Sequence, residues 1–69
     1  MESFKLKGRE FIELNNLLKV TGLCSSGGLA KKRIADRLVM VDGEVELRKR
    51  CKIRAGQNVS FNGEVINVI

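Results

Sequence analysis

The sequence predicts a small α+β domain in which two short helices pack on a small antiparallel sheet. Helices and strands are segregated, because one strand pattern precedes two helical patterns and two hairpin patterns follow them. The chain has 69 residues, which suits a single domain over residues 1–69. Seven glycines and no proline separate the elements.

The first element is a short strand. Phe4 and Leu6 alternate with polar residues, as in a half-exposed strand. Phe11 and Ile12 extend or resume this strand after Gly8.

Helix one is predicted over residues 13–21 and helix two over residues 27–36. Gly22 ends helix one, because glycine accepts the left-handed backbone that follows a last helical turn. Ser26 is a suitable N-cap for helix two. The apolar positions repeat at helical spacing: Leu14, Leu17, Leu18 and Thr21 in helix one, and Ala30, Ile34 and Leu38 along helix two.

The segment 39–47 predicts a first hairpin around Asp42-Gly43. A two-residue turn is the usual form for Asp-Gly, but it would mix valines and glutamates on one face. A three-residue loop that ends at Gly43 instead places Val39, Val45 and Leu47 together. Since a one-residue slip exchanges the two faces, we predict the three-residue loop, with Gly43 at positive φ.

The segment 59–68 predicts a second hairpin with a two-residue Asn62-Gly63 turn. This register pairs Val59 with Ile66. Phe61 and Val68 then lie on the same face of the sheet.

Positive charge is concentrated in the middle of the chain. The net charge is +5, and residues 31–54 carry nine bases and four acids. Five of the seven residues in 48–54 are cationic, and this run is a connection or an edge strand between the hairpins. Such a density indicates a polyanionic partner, above all nucleic acid. If the run is extended, alternation places one set of bases on one side: Arg48, Arg50, Lys52 and Arg54.

Helix two carries a second basic cluster. Lys31, Lys32 and Arg33 lie in it and Arg37 lies just beyond it. One such run is often only a solvated surface, whereas two clusters beside turns favour a binding surface.

The composition argues against an enzyme. The chain has no histidine, no nucleophile-elbow motif, no P-loop and no dinucleotide fingerprint, so we expect no cofactor and no small-molecule substrate. Gly27 and Gly28 at the start of helix two could bind a phosphate through backbone N–H groups, or could form only a flexible turn.

The cysteines and the chain start suggest a cytoplasmic protein. We find no secretory signal and no apolar stretch long enough for a membrane span. Cys24 and Cys51 form no C-x-x-C motif, and we expect both to be reduced. Arg50 and Lys52 could make Cys51 reactive, but its position beside Ile53 favours packing.

The aromatic content narrows the kind of nucleic acid. The chain has no Trp and no Tyr, and its three Phe residues are assigned to the core. A stacking surface for single strands is therefore disfavoured, and contact with the phosphates and shape of folded RNA is favoured. A DNA-binding helix-turn-helix remains an alternative, although helix two begins with Gly27, Gly28 and Leu29 rather than base-reading side chains.

Taken together, several segments resemble the RNA-binding domain first described in ribosomal small-subunit protein S-four. The resemblance covers residues 11–61, and it is closest to the small stand-alone bacterial proteins of the YbcJ type. Its motifs are Ser26-Gly27-Gly28-Leu29-Ala30-Lys31, Ile34, Val39-x-Val41-Asp42-Gly43, Arg48-Lys49-Arg50 and Gly56.

The resemblance implies the α-L motif, in which two helices and an L-shaped β loop form a positive RNA-binding surface. We expect a non-enzymatic, monomeric RNA-binding protein whose RNA is structured, with ribosomal or transfer RNA as examples. The site residues that the resemblance implies are Ser26, Lys31, Lys32, Arg48, Lys49, Arg50 and Lys52. From charge and the glycine-rich helix start we add Gly27, Arg33, Arg37 and Arg54.

Two positions depart from the family pattern. Gly27 stands where many members have arginine, so backbone N–H groups would replace one phosphate-binding side chain. Arg37 stands where glycine is common, so either Arg37 has a strained left-handed backbone or the turn differs. A protein-interaction module that docks an acidic partner is the alternative from a different class.

Overall fold

The computed structural model describes residues 2–69. Within this range the elements follow the predicted order of strand, two helices and further strands. They are β1 (Glu2–Phe4), β2 (Ile12–Glu13), α1 (Leu14–Val20), α2 (Gly27–Ala35), β3 (Val39–Val41), β4 (Glu44–Val45), β5 (Lys52–Ile53), β6 (Asn58–Phe61) and β7 (Glu64–Val68).

The strands form two separate sheets. The larger sheet has the order β1-β7-β6-β3-β4 and the smaller one pairs β2 with β5. Every pair is antiparallel except β1 with β7, which is parallel and aligns Phe4 with Val68. The predicted α+β class with two helices on a small sheet is confirmed, and the parallel strand is an addition. Phe11 and Ile12 do not extend β1, because Ile12 pairs with Ile53 of β5.

Both helices bury one face in a core that they share with strands of both sheets. The predicted helix boundaries are confirmed to within one residue at each end. Removing such aliphatic side chains from water supplies the main favourable term in folding. The innermost side chains, each at most 1% exposed, are Leu14, Leu17, Leu18, Ala30, Ile34, Val39, Ile53, Val59, Ile66 and Val68.

The caps of α2 determine which residues belong to its buried face. Ser26 is the N-cap as predicted, and its Oγ accepts a hydrogen bond from the N–H of Leu29 at 3.1 Å. At the other end Arg37 has a φ of 64°, and the N–H of Leu38 donates to the carbonyl of Arg33 at 3.2 Å. Because this left-handed turn ends the helical path, Leu38 is 50% exposed. Its predicted place on the buried stripe was wrong.

The first hairpin has the two-residue turn, so the predicted three-residue loop was wrong. Val41 pairs with Glu44, and Asp42 and Gly43 have φ values of 51° and 85°. The carboxylate of Asp42 accepts a hydrogen bond from the N–H of Asn58 at 2.9 Å, which holds the left-handed backbone of Asp42 in place. The positive φ of Gly43 is confirmed.

This register leaves apolar side chains in contact with solvent. Val45 is 48% exposed, since it lies opposite Met40 on the face of the sheet away from the buried Val39 and Val41, and Leu47, beyond β4, is 46% exposed. The second hairpin has the predicted Asn62-Gly63 turn, and Val59 pairs with Ile66. The sheet register of the second hairpin is therefore confirmed.

Residues 2–69 contain neither a membrane-spanning helix nor a cluster of metal ligands. No helix in this range has both the length and the apolar character needed to cross a membrane. In the same range no cluster of three or more His, Cys, Asp and Glu residues could hold a metal ion.

Candidate nucleic-acid interface

The small β2–β5 ribbon separates an apolar side from a charged side. Ile12 and Ile53 lie opposite each other and are 3% and 0% exposed, so they point into the core. Side chains alternate along a strand, and their neighbours therefore point outward. Glu13 lies opposite Lys52 on that outer side, and Arg54 follows at the end of β5.

The basic turn, residues 48–51, is fixed to the start of α1 by backbone hydrogen bonds. The N–H of Cys51 donates to the carbonyl of Arg48 at 3.2 Å, which closes the turn. The carbonyls of Cys51 and Lys49 accept hydrogen bonds from the N–H groups of Leu14 and Asn15, at 2.9 and 3.1 Å.

These carbonyls replace the missing side-chain cap of α1. Glu13 is the N-cap residue, but its side chain makes no capping hydrogen bond. The first N–H groups of a helix lack partners within the helix, and the helix dipole is positive at that end. The carbonyl oxygens of the basic turn satisfy two of these donors, so the position of the turn is determined by α1.

The placement of alternate bases on one side depended on 48–54 being extended, and most of this segment is a connection instead. Within it only Lys52 and Ile53 are in a strand, and Lys49 and Arg50 lie in a turn. Alternation therefore does not determine where Arg48 and Arg50 point. All five bases of the run are nevertheless exposed. Three of them line one surface hollow of about 430 Å³ together with Cys51: Arg48, Arg50 and Lys52.

Two arginines of the run bind carboxylates. Arg48 donates from Nε to Oε2 and from Nη2 to Oε1 of Glu46, both at 3.0 Å, and its backbone N–H donates to Oε2 at 2.9 Å. These side-chain and backbone hydrogen bonds lower the pKa of Glu46 to about 2. Arg50 binds Oε2 of Glu13 through Nε and Nη2, at 3.1 Å each.

The other three bases of the run have no such partner. Within residues 2–69, Lys49, Lys52 and Arg54 form no ion pair with a carboxylate. Their positive charge is therefore available to an external anion.

An aromatic ring lies beside two of these unpaired bases. Nζ of Lys52 is 5.0 Å and Cζ of Arg54 is 5.7 Å from the centre of the Phe11 ring, which is within cation–π range. Phe11 is half-buried and is not part of the core, whereas Phe4 and Phe61 pack against it. The assignment of Phe11 to the core was therefore wrong. The sequence did contain a signal for this position: Phe11 directly precedes Ile12, and neighbouring side chains of an extended segment point to opposite sides.

The bases of α2 have different local surroundings from those of the basic turn. Lys32 binds Asp36 at 3.6 Å, and Lys31 and Arg37 are exposed. Arg33 lines a separate hollow of about 270 Å³ with Leu38, Phe61 and Asn62. Ser26 uses its hydroxyl as a cap and Gly27 is the first residue of the helix. One continuous surface from α2 and the basic turn stays a prediction.

Sequence reasoning missed a further basic group near the start of the chain. Lys5, Lys7 and Arg9 surround a hollow of about 490 Å³ with an apolar floor that includes Leu6 and Ile69. The turn at Lys7 has a φ of 55°. Leu6 and Gly8 separate these bases in the sequence and Glu10 follows them, so no charge run marked them.

The cysteines are packing residues, as predicted. Cys24 is 2% exposed, and Cys51 is half-buried against the core. Burial is the main cause that raises the pKa of the Cys51 thiol, and the nearby carboxylate of Glu46 raises it further. The thiol lies 3.6 Å from both Oε1 of Glu46 and Nη2 of Arg48.

Two adjacent helices, followed by strands and a basic turn docked on the first helix, are the arrangement expected of the α-L motif. The chain belongs to the S4 domain family, whose model matches residues 4–69.

Among curated proteins, the chain is similar to the putative RNA-binding protein YbcJ of Escherichia coli (strain K12). The two are 51% identical over 69 residues, which cover all of this chain and 99% of the relative. The uncharacterized protein YbcJ of Shigella flexneri matches with the same identity and coverage. Among solved structures, the chain resembles the solution structure of YbcJ from E. coli, which is described as revealing an α-L motif involved in RNA binding. The TM-score is 0.77, and the match covers all of this chain and 87% of that one.

Proposed function

We propose that this chain is an RNA-binding domain that contacts the phosphate backbone of a structured RNA. The contact would be made by the ribbon surface, which we define as the outward side chains of residues 48–54. The observation that carries the proposal is the group of unpaired bases, Lys49, Lys52 and Arg54, beside the two paired arginines. The RNA-binding descriptions of the similar E. coli protein support it.

The paired arginines contribute in a different way. Arg48 and Arg50 each use Nε and one terminal nitrogen to bind a carboxylate, which holds the guanidinium in one orientation. A guanidinium has five N–H donors, so others remain for a phosphate oxygen. The two carboxylates reduce the net positive charge of the ribbon surface, but they also fix the positions of the guanidinium N–H donors. Donors in fixed positions favour an RNA whose phosphates are arranged to match them.

A second contact region is proposed on α2. Its bases are exposed or line a hollow, and the start of the helix carries the Ser26 cap. The residues that we propose for this region are Ser26, Gly27, Lys31, Lys32, Arg33 and Arg37.

We further propose that the domain binds without catalysis, as a monomer in the cytoplasm. The similar E. coli protein is described as an RNA-binding protein, which supports a binding role. Cys24 and Cys51 are unpaired thiols, which is compatible with a reducing compartment.

The salt dependence of RNA binding tests the ribbon surface. Each phosphate contact that is lost makes the slope of log K against log salt less steep by about 0.7–0.9. We expect the variant Lys49→Gln/Lys52→Gln/Arg54→Gln to bind a hairpin RNA more weakly and with a slope reduced by about 2–3. Fluorescence anisotropy at several salt concentrations gives both values.

A matched control separates the site from net charge. The variant Lys5→Gln/Lys7→Gln/Lys19→Gln removes three charges at exposed positions outside the ribbon surface. We expect it to retain most of the affinity and the slope. Equal losses in both variants would overturn the assigned surface. A wild-type protein that binds no RNA at low salt, but binds duplex DNA or an acidic protein, would overturn the function itself.

A further inference from the structure

The position of Phe11 has a functional consequence beyond contact with phosphates. We propose that the Phe11 ring is a stacking surface for one unpaired nucleobase, with Lys52 and Arg54 binding the phosphates on either side of that nucleotide. This inference rests on the proposed function. It specifies the RNA as a folded one with a bulged or looped-out base, not an uninterrupted duplex.

The first support is that the core does not require this ring. Phe11 precedes Ile12, whose side chain points inward, and Phe11 is not among the residues packed in or against the core. A large aromatic side chain outside the core contributes less to folding than a buried one. Partly exposed aromatic rings are the groups on which proteins stack unpaired RNA bases.

The second support is the pair of cations at the ring. Lys52 lies in β5 and Arg54 directly follows this strand; both are exposed, whereas Ile53 between them is fully buried. Their distances of 5.0 and 5.7 Å bring two positive charges to a single ring. Within residues 2–69 neither base binds a carboxylate, so neither is held away from an incoming phosphate.

Relative interaction strengths allow a base to replace a cation at the ring. An exposed cation–π contact strengthens an interaction by about two- to fivefold. Stacking of a nucleobase on an aromatic side chain strengthens binding by about five- to 150-fold. A base is therefore favoured over a cation on the ring, and the displaced side chain is long enough to keep its charge near the phosphate of the same nucleotide.

Two hairpin RNAs of equal length test this inference, one fully paired and one with a single bulged 2-aminopurine. We expect the wild-type protein to bind the bulged hairpin about tenfold more tightly and to quench the fluorescence of the 2-aminopurine. Phe11→Leu should lose the quenching and the tenfold preference, with its affinity for the paired hairpin unchanged within about twofold. Phe11→Tyr should keep both.

A second cation–π pair in the protein, formed by Arg9 and Phe4, provides the control. Arg9 lies over the Phe4 ring at 5.7 Å, so Phe4→Leu removes a cation–π contact outside the ribbon surface. We expect Phe4→Leu to keep the preference and the quenching. Circular dichroism should establish that each variant is folded before binding is compared.

The outcomes separate this inference from the proposed function. If wild type binds both hairpins equally and without quenching, the stacking role is overturned and phosphate binding stands. If Phe11→Leu weakens binding of both hairpins by the same factor, Phe11 only positions Lys52 and Arg54, and the stacking role is again overturned. If wild type binds neither hairpin, the proposed function fails and this inference fails with it.

Discussion

Glu46 binds the guanidinium of Arg48 through both carboxylate oxygens, at Nε–Oε2 and Nη2–Oε1 distances of 3.0 Å. The backbone N–H of Arg48 adds a third hydrogen bond to the same carboxylate. The first residue of the basic turn is thereby held by an acid two positions earlier in the chain. An acidic side chain thus helps to shape a surface that is otherwise positive.

This relationship predicts a loss of stability in acid. The pKa of Glu46 falls from an ordinary value of 4.5 to about 2 in the folded protein, mainly through hydrogen bonds from Arg48. A carboxylate with a lowered folded-state pKa stabilises the fold above its unfolded pKa, and that stability is lost as pH falls toward the folded pKa. We expect the contribution of Glu46 to the free energy of unfolding to be complete above pH 5 and to decline between about pH 4.5 and 2.

Urea unfolding at a series of pH values measures this contribution. The variant Glu46→Gln should be less stable than wild type at pH 7, and the difference should narrow as pH falls below 4.5. Glu44→Gln is the control, because Glu44 is exposed and makes no ion pair within residues 2–69. If the difference in the free energy of unfolding between wild type and Glu46→Gln stays constant from pH 7 to pH 3, the Glu46 carboxylate does not stabilise the fold in the way described.

Loss of the α2 cap should destabilise the protein. Ser26→Ala removes the hydrogen bond from the N–H of Leu29, and such substitutions cost about 1 kcal/mol. Ser25→Ala serves as the control, since Ser25 is an exposed neighbour that does not cap the helix. We expect a reduced urea midpoint for Ser26→Ala and a change of only a few tenths of a kcal/mol for Ser25→Ala. Equal effects would show that the cap contributes little.

Relief of the backbone strain at Arg37 should stabilise the protein. The left-handed conformation of Arg37 destabilises the folded protein by about 1–2 kcal/mol relative to glycine at the same position. Glycine offsets about 0.5–1 kcal/mol of that gain, because it gives the unfolded chain more conformational entropy. We therefore expect Arg37→Gly to raise the free energy of unfolding by about 0.5–1 kcal/mol. Arg37→Ala keeps the backbone strain, so we expect no increase in the free energy of unfolding for this variant. Thermal unfolding of both variants makes the comparison, and a gain for alanine equal to that for glycine would refute it.

The thiol of Cys51 should react slowly at neutral pH. Burial and the carboxylate of Glu46 raise its pKa, so only a small fraction is thiolate, the reactive form. We expect iodoacetamide at pH 7 to modify Cys51 more slowly than free cysteine, and Cys24 more slowly still because it is 2% exposed. Mass spectrometry over time measures both rates.

The control for this prediction is the unfolded protein. In strong denaturant both thiols should react at the rate of free cysteine. Cys51→Ser should also keep its RNA affinity within about twofold, since we assign the thiol no role in binding. A rate for folded Cys51 above that of free cysteine would instead favour a redox role.

The elements with strong local signals could be predicted from the sequence. The Ser26 cap and the Asn62-Gly63 hairpin depend on contacts between residues close in the chain, and both are confirmed. The error at Asp42-Gly43 came from grouping the apolar residues on one face. The structure leaves both Val45 and Leu47 exposed: Val45 lies opposite Met40, on the face of the sheet away from the buried Val39 and Val41, and Leu47 lies beyond β4.

The site depends on contacts that are distant in sequence, and these could not be derived from local patterns. Glu13 and Arg50 are 37 positions apart, yet their ion pair decides which bases of the run remain unpaired. The contact of Phe11 with Lys52 and Arg54 follows from the register of β2 against β5. Neither strand has more than two residues, so neither carries a periodic pattern that would reveal the pairing.

The anchoring of the basic turn has a consequence for how this surface can change. Leu14 and Asn15 donate their N–H groups to the carbonyls of Cys51 and Lys49, and every amino acid supplies a carbonyl. Substitution of the Lys49 side chain therefore leaves its hydrogen bond to α1 intact. The backbone of the turn is thus held independently of this exposed side chain, so position 49 can change during evolution with little loss of stability.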